Sequence, residues 1–227
     1  MSWLESIQEQ GFVILPAILD PNDIDDLLDE FSRGDLPRSR AGVRHAMRLP
    51  AVAKIARSEP LLEIAQAVLG REAFPFRATL FDKSPTANWL VVWHQDTALP
   101  LRERRETRGW GPWSVKDGVT YAHAPASALS RVLALRLHLD DSTAENSPLR
   151  VLPRTHTLGV LSDEKLHDLS TRVAAIDCLV PHGGVLAMRP LIVHASSKSQ
   201  SQSLRRVLHI EYAVAAEADF GLELAIA

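Results

Sequence analysis

Three short segments of the chain place an acidic residue two positions after a histidine. They are His94/Asp96, His138/Asp140 and His209/Glu211. Because side chains at positions i and i+2 of a β-strand point the same way, each pair could present two ligands to one metal ion. Nine histidines and 28 acidic residues in 227 positions produce about one such pair by chance, so the surrounding sequence must select among the three.

The sequence around His94 favours the first pair. His94 follows the apolar run WLVVW and opens into a long segment rich in glycine and proline, where a strand-end ligand at a pocket mouth would lie. His138 lies inside an alternating strand and could simply be a polar-face residue hydrogen-bonded to a neighbour. His209 and Glu211 share one face of a strand whose other face is apolar, and a structural role is the default interpretation there.

A catalytic iron needs a third protein ligand, since two rarely hold it. His194 ends the apolar segment PLIVH and is followed by a polar turn and the strand LRRVLHIEY. A hairpin centred on that turn would place Arg205 across from His194, where its guanidinium could hold a carboxylate in bidentate fashion. The alternative, a solvated charge at a strand end, is less favoured opposite a strand-end histidine.

The elements that must position these residues fall into two parts. Residues 1–70 are predicted to be helical: Asp20 caps a helix that starts at Pro21 and ends at Gly34, and further helices are predicted over 50–58 and 60–70. Residues 71–215 change to short β-rich segments separated by turn residues, which predicts a mainly β sandwich or barrel with the helices packed outside. The predicted strands are 74–81, 89–93, 131–139, 149–152, 185–188, 191–193 and 206–214.

Two segments of the predicted core stand out. In RVLALRLHLD the leucines share one strand face, and Arg136 and His138 share the other. Residues 97–130 contain six glycines or prolines and no sustained period, which predicts a long irregular segment. That segment is interpreted either as a lid over a site or, equally, as a surface loop held by its tryptophans.

Composition excludes several classes of protein. The chain is 46% hydrophobic and 23% charged, which excludes wholesale disorder and suits a single domain spanning residues 1–227. A net charge of −3 argues against a nucleic-acid partner, and the single cysteine, Cys178, excludes an intramolecular disulfide or a cysteine-rich zinc site. A polar N-terminus and the lack of a long apolar run lead us to expect a cytoplasmic protein that does not enter a membrane. No feature indicates an oligomeric state.

Four segments together resemble the phytanoyl-CoA dioxygenase-like (PhyH) family of Fe(II)/2-oxoglutarate-dependent oxygenases. They are WHQD, RLHLDDSTAENSPLRVLPRTH, GGVLAMRPLIVHASSKS and RRVLHIEY, in the family's order, and GFVILPAILD is similar to the family's opening. The resemblance implies a double-stranded β-helix (jelly-roll, cupin-like) core. It also implies an iron triad of His94, Asp96 and His194, with Fe(II), 2-oxoglutarate and dioxygen as the reaction's cofactors.

The resemblance further implies a binding site for 2-oxoglutarate. Arg205 would bind its distal carboxylate, and Ser196 would be the hydroxyl partner of that carboxylate. Lys83 in LFDK and Trp113 in GWGPW are additional candidates for cosubstrate contacts.

The sequence departs from the family at two turns. Ser147 and Arg154 stand where the family usually has glycine, which puts the local turn geometry in doubt because glycine is favoured at positive φ. His156, close to the second turn, is taken as structural.

The implied reaction is oxidation of a substrate C–H bond, with 2-oxoglutarate converted to succinate and CO2. Hydroxylation is favoured, because Asp96 occupies the position that a halide-binding variant leaves without a ligand. Residues 97–118 carry five basic and three acidic side chains, so the small-molecule substrate is interpreted as anionic, although such a run is more often a solvated face. Two alternatives stay open: a cupin-like metalloprotein that does not use 2-oxoglutarate, and a non-catalytic binding module.

Overall fold

The computed structural model describes residues 1–33, 42–84, 87–214, 217–218 and 222–227. Its helices are α1 (Trp3–Glu9), α2 (Pro21–Arg33), α3 (Pro50–Ala56), α4 (Glu59–Leu69), α5 (Ala126–Leu129) and α6 (Asp163–Arg172), with two 3-10 turns at Ala46–Arg48 and Thr155–Leu158. Its strands are β1 (Phe12–Leu15), β2 (Gly42–Val43), β3 (Phe74–Lys83), β4 (Val91–His94), β5 (Ala98–Leu101), β6 (Trp113–Lys116), β7 (Val119–His123), β8 (Val132–His138), β9 (Leu149–Leu152), β10 (Ile176–Cys178), β11 (Val185–Met188), β12 (Val193–Ser196), β13 (Arg205–Ala213), β14 (Glu217–Ala218) and β15 (Leu222–Glu223).

Two antiparallel sheets form the centre of the molecule. One has the strand order β1-β11-β8-β13-β3-β2 and the other the order β10-β9-β12-β4. Ala134 and Met188 of the larger sheet share one apolar cluster with Leu149 and Val151 of the smaller sheet, so the two inner faces pack on each other. This sandwich of antiparallel strands confirms the predicted mainly β, jelly-roll fold class.

The helices α1 to α4 cover the outer face of the larger sheet. Leu133, Leu135 and Leu137 of β8 lie in one buried cluster with Ile24 of α2 and Leu61 of α4. The alternation of β8 therefore divides its side chains as predicted, with the leucines facing the helices and the intervening residues facing the inside of the sandwich. Gly34, expected to end α2, lies outside the described residues.

Residues 97–130 are not the long irregular segment that the sequence predicted. They form an antiparallel sheet of order β5-β7-β6, followed by the short helix α5. Leu99 and Ala122 of this sheet pack against Phe76 and Leu191 at the end of the sandwich beside Asp96. The strands escaped detection because each has only four or five residues, too few for a clear alternation between the interrupting prolines and glycines.

The predicted hairpin pairing of His194 with Arg205 is wrong. β12 and β13 belong to different sheets: His194 pairs with His94 and Val151, whereas Arg205 pairs with Lys83. The polar turn between the two strands carries the chain from one sheet to the other, as in a jelly roll, so Arg205 faces the smaller sheet across the sandwich.

The two turns that lack the family's glycine keep a conformation that glycine favours. Ser147 has φ of 61° and Arg154 has φ of 69°, both in the left-handed region. The substitutions therefore leave the backbone path intact and place two strained residues in it. Among the described residues, no helix is long and apolar enough to cross a membrane.

Candidate metal centre

His94, Asp96 and His194 converge at one end of the smaller sheet. His94 ends β4, Asp96 follows two residues later, and His194 lies on β12 directly opposite His94. One ligand atom of each lies within 4.8 Å of the other two, and this is the only such group of three or more among the described histidines, cysteines and acids. Asp96 lies 3.8 Å from His94 Nε2 and 3.6 Å from His194 Nε2.

Backbone carbonyls fix the tautomer of both histidines. His94 Nδ1 lies 2.9 Å from the carbonyl oxygen of Val92, and His194 Nδ1 lies 2.9 Å from that of Ile192. A carbonyl can only accept, so each Nδ1 carries the hydrogen and each Nε2 keeps its lone pair for a metal. Two imidazole nitrogens and one carboxylate are the donor set of a non-haem iron(II) centre, so the residues fit that metal.

Gln95 holds the backbone between the two ligands of the HQD segment. Its amide nitrogen donates to the carbonyls of Gly159 (2.9 Å) and Leu191 (2.7 Å), and its amide oxygen accepts from the Leu161 backbone (2.8 Å). Sequence reasoning did not single out Gln95. Its position between two ligands was the available signal.

Electrostatics favour the ligating forms of His194 and Asp96. Burial, reinforced by the neighbouring His94, lowers the pKa of His194 to about 3, so its imidazole is neutral near pH 7. Burial alone would raise the pKa of Asp96, but its electrostatic interactions with the neighbouring histidines and with Arg77 outweigh burial and hold that pKa well below its usual range. The carboxylate is therefore ionised over the whole physiological range.

The triad borders a cavity of about 130 Å³ between the two sheets. Its residues include Thr79 and Phe81 of β3, Val91 of β4 and Leu149 of β9. His94 is 36% exposed and Asp96 is 25% exposed, whereas the other polar residues described below are nearly sealed from solvent. The cavity therefore opens beside the triad and is closed at its far end.

Lys83, Ser196 and Arg205 form the closed end. Their relative exposures are 1%, 2% and 4%. Lys83 Nζ donates to Ser196 Oγ at 2.8 Å, and an Arg205 nitrogen lies 3.5 Å from the same oxygen. Three of the residues expected to bind 2-oxoglutarate are thus together, and two of them are cations.

Ser196 is hydrogen-bonded to its neighbours at the closed end. Its hydroxyl donates to the Ser147 carbonyl at 3.0 Å and accepts from Lys83. These contacts place the Ser196 hydroxyl between the two cationic side chains, and its role towards the carboxylate of 2-oxoglutarate stays a prediction.

Trp113 is not part of the cavity. It lies on β6, its indole packs against the apolar cluster of the three-stranded sheet, and the Arg104 guanidinium lies 5.8 Å from its ring centre. The structure thus does not bring Trp113 together with the other candidates for cosubstrate contacts. The segment GWGPW does not indicate where strand β6 lies relative to the cavity, so the sequence alone could not exclude Trp113.

The other two histidine–acid pairs have other surroundings. Glu211 forms a buried ion pair with Arg77. His209 Nδ1 accepts from Arg136 at 3.0 Å, on the cavity side of the larger sheet. His138 is 1% exposed and neither ring nitrogen has a hydrogen-bond partner among the described residues, so the expectation of a hydrogen-bonded polar face is wrong for it.

A family model described as Phytanoyl-CoA dioxygenase (PhyH) matches residues 7–207. The chain belongs to this family. The grouping of His94, Asp96 and His194 agrees with that membership.

A curated relative is the L-proline trans-4-hydroxylase of Streptomyces griseoviridis. The two sequences are 27% identical over 186 residues, and the match covers 70% of this chain and 62% of that protein. The chain thus spans less than two thirds of the length of this relative.

Solved structures share the fold. AviO1 from Streptomyces viridochromogenes Tue57 has a TM-score of 0.68 and 21% identity, with 95% of both chains covered. EctD from S. alaskensis, solved with 2-oxoglutarate and 5-hydroxyectoine, has a TM-score of 0.70 and 16% identity over 92% of this chain and 74% of that one. The non-heme alpha ketoglutarate dependent epimerase SnoN has a TM-score of 0.70 and 16% identity over 94% of this chain and 82% of that one.

Proposed function

We propose that this PhyH-family protein is an Fe(II)- and 2-oxoglutarate-dependent dioxygenase that hydroxylates a C–H bond of a small-molecule substrate, releasing succinate and CO2. The observation that carries the proposal is the pairing of two sites in one cavity. A His-Asp-His triad lies at its open end, and two cations, Lys83 and Arg205, lie at its closed end.

Iron(II) and 2-oxoglutarate would supply the oxidising chemistry when bound, with the 2-oxo acid decarboxylated as the C–H bond is oxidised. His94, Asp96 and His194 would hold the metal. Arg205 and Lys83 would bind the distal carboxylate of 2-oxoglutarate through charge-assisted hydrogen bonds.

The chain's own residues keep this arrangement fixed. The Val92 and Ile192 carbonyls orient the two imidazoles, and Gln95 holds the loop that carries Asp96. The deep burial of Lys83 and Arg205 excludes bulk water from the closed end, which strengthens their attraction for a carboxylate. Substrate would approach from the exposed side of His94 and Asp96.

Two observations support a small, anionic substrate. The curated relative is named for the hydroxylation of proline, and EctD was solved with 5-hydroxyectoine, and both molecules are small. Arg77 lines the cavity but is paired with Glu211, and its guanidinium lies 5.9 Å from the centre of the Tyr121 ring. Lys116 Nζ lies 4.8 Å from the same ring centre, so Lys116 adds a positive charge near this side of the cavity. A substrate carboxylate would be attracted there.

The test is succinate formation from 2-oxoglutarate by the iron-loaded protein, measured with and without a panel of small carboxylic acids and their amides. Arg205→Ala should abolish turnover of 2-oxoglutarate while the protein still binds iron. Metal-dependent oxygen consumption that forms no succinate and is unaffected by Arg205→Ala would favour the cupin-like alternative. Bound iron without any oxygen consumption would favour a non-catalytic binding module.

A further inference from the structure

A second buried arginine lies on the wall of the same cavity. Arg136 is 6% exposed and extends from the inner face of β8 towards the smaller sheet. One of its terminal nitrogens donates to His209 Nδ1 at 3.0 Å, and its guanidinium lies 5.2 Å from the centre of the Phe81 ring. Its Nε has no hydrogen-bond partner among the described residues.

Arg136 is charged and lacks a counterion. Burial lowers its pKa only to about 10, so the guanidinium is protonated at neutral pH. Within the part of the chain that the structure describes, Arg136 forms no ion pair. A buried charge without a counterion destabilises the folded protein. An anionic ligand that binds beside Arg136 would supply the missing counterion.

The charges of the cavity do not cancel. Arg77 is paired with Glu211, but Arg136 and Arg205 face one acid among the lining residues, Asp96, which the metal would share. Burial and the two arginines lower the pKa of Lys83 to about 7, so this amine adds only part of a positive charge at neutral pH. One carboxylate at the closed end cannot neutralise both arginines. The excess positive charge calls for a ligand that carries two negative groups.

The size of the cavity favours one molecule that provides both groups. About 130 Å³ is below the range of roughly 300–1,000 Å³ of pockets for drug-sized ligands, which suits a single small molecule. Arg136 pairs in register with His209, which lies four residues along β13 from Arg205 and so about 13 Å away. The two long side chains extend into the space between these positions.

We propose that Arg136 and Arg205 form a two-arginine clamp that binds the two carboxylates of one five-carbon dicarboxylate. Arg205 with Lys83 holds the distal carboxylate, and Arg136 holds the carboxylate next to the 2-oxo group. The clamp rests on the proposed function for the identity of its ligand. It adds that the chain selects and orients the dicarboxylate by itself, before any metal is present.

The test compares glutarate with pentanoate, which differ only in the second carboxylate. Their dissociation constants are measured by isothermal titration calorimetry on the full-length protein after removal of metal, at constant ionic strength. We expect wild type to bind glutarate at least about tenfold tighter, since its second carboxylate gains a charge-assisted hydrogen bond to Arg136. Arg136→Met should reduce this preference to about twofold or less and leave the affinity for pentanoate unchanged.

Controls separate the clamp from other effects. Arg172→Met, at an exposed arginine of α6, should keep the preference for glutarate over pentanoate. Arg205→Met should lower the affinity for both acids. Circular dichroism checks that each variant is folded, and Arg136→Lys, which keeps the charge, should retain part of the preference.

Three results would overturn the clamp. They are an undiminished glutarate preference in Arg136→Met, an equal affinity of wild type for the two acids, and binding that appears only when metal is added. The same titration with 2-oxoglutarate and cobalt(II) separates the two proposals. If wild type binds 2-oxoglutarate with metal but shows no glutarate preference without it, the clamp alone fails; if it never binds 2-oxoglutarate, the proposed function fails as well.

Discussion

The buried ion pair between Arg77 and Glu211 offers a sharp test of the energetics of the inner face. Glu211 is 1% exposed and Arg77 13% exposed, and Arg77 also donates to the Ala98 carbonyl at 2.8 Å. Glu211→Gln removes the negative charge at nearly constant shape and leaves the guanidinium buried without a counterion. Breaking a buried pair costs about 3–5 kcal/mol, and the residual exposure and hydrogen bond of Arg77 place the expected loss near 3 kcal/mol.

Equilibrium urea unfolding provides the assay, with the midpoint compared at constant slope. Replacing both partners, as in Arg77→Met/Glu211→Leu, should recover stability to within about 1 kcal/mol of wild type, because an apolar pair carries no desolvation penalty. The matched control is Asp140→Asn. It breaks the ion pair of Asp140 with Arg206, which lies on β13 like Glu211. That pair is 21–25% exposed, so its loss should cost only about 1 kcal/mol.

The reasoning is refuted if Glu211→Gln costs no more than Asp140→Asn. It is also refuted if the double variant is as unstable as Glu211→Gln alone. Either result would mean that Glu211 does not serve as the counterion of Arg77.

Three further predictions follow from individual residues. Gln95→Ala should weaken cobalt(II) binding about ten- to hundredfold, because it frees the loop between two ligands, as measured by titration of the metal-free protein. Burial and the charges of the neighbouring arginines lower the pKa of Lys83 to about 7, so the affinity for 2-oxoglutarate should fall as pH rises through 7, and Lys83→Met should flatten this dependence. Arg154→Gly should stabilise the protein by about 1 kcal/mol in urea unfolding, because it relieves a left-handed backbone angle.

Each of these predictions has its own control. Gln66→Ala, on α4, should leave the metal affinity unchanged, and an equal effect in both glutamine variants would remove the special role of Gln95. An affinity for 2-oxoglutarate that is constant from pH 6 to 8 in wild type (roughly one unit either side of the shifted pKa) would contradict the role of Lys83. Arg172→Gly, within helix α6, should destabilise by about 1 kcal/mol, so the two arginine-to-glycine changes should have opposite signs.

Local sequence patterns predicted several of the helices and strands and the three residues of the triad. β9 and β11 have the predicted bounds, 149–152 and 185–188, because each is a short apolar run between turn residues. His94 was found because it ends an apolar strand, and His194 because it ends the apolar segment PLIVH. Patterns of this kind depend only on neighbours along the chain, which the sequence displays directly.

Features that depend on which strands meet were not predicted. Arg205 was assigned to the correct cavity by the resemblance but to the wrong neighbour by the hairpin argument, because a turn that changes sheets has the same polar composition as a hairpin turn. The sequence placed Arg136 on the strand face opposite the leucines, yet its missing counterion is visible only when the opposite sheet is in place. The pairing of Glu211 with Arg77 likewise joins residues that are far apart in sequence.

The central claim is that iron(II) and 2-oxoglutarate bind together in the cavity beside His94, Asp96 and His194. Anaerobic titration of both into the metal-free protein, followed by ultraviolet-visible spectroscopy, tests it most directly. We predict a weak visible charge-transfer band that requires both components and is lost in His94→Ala. Iron binding without this band, or a band that persists in His94→Ala, would contradict the account.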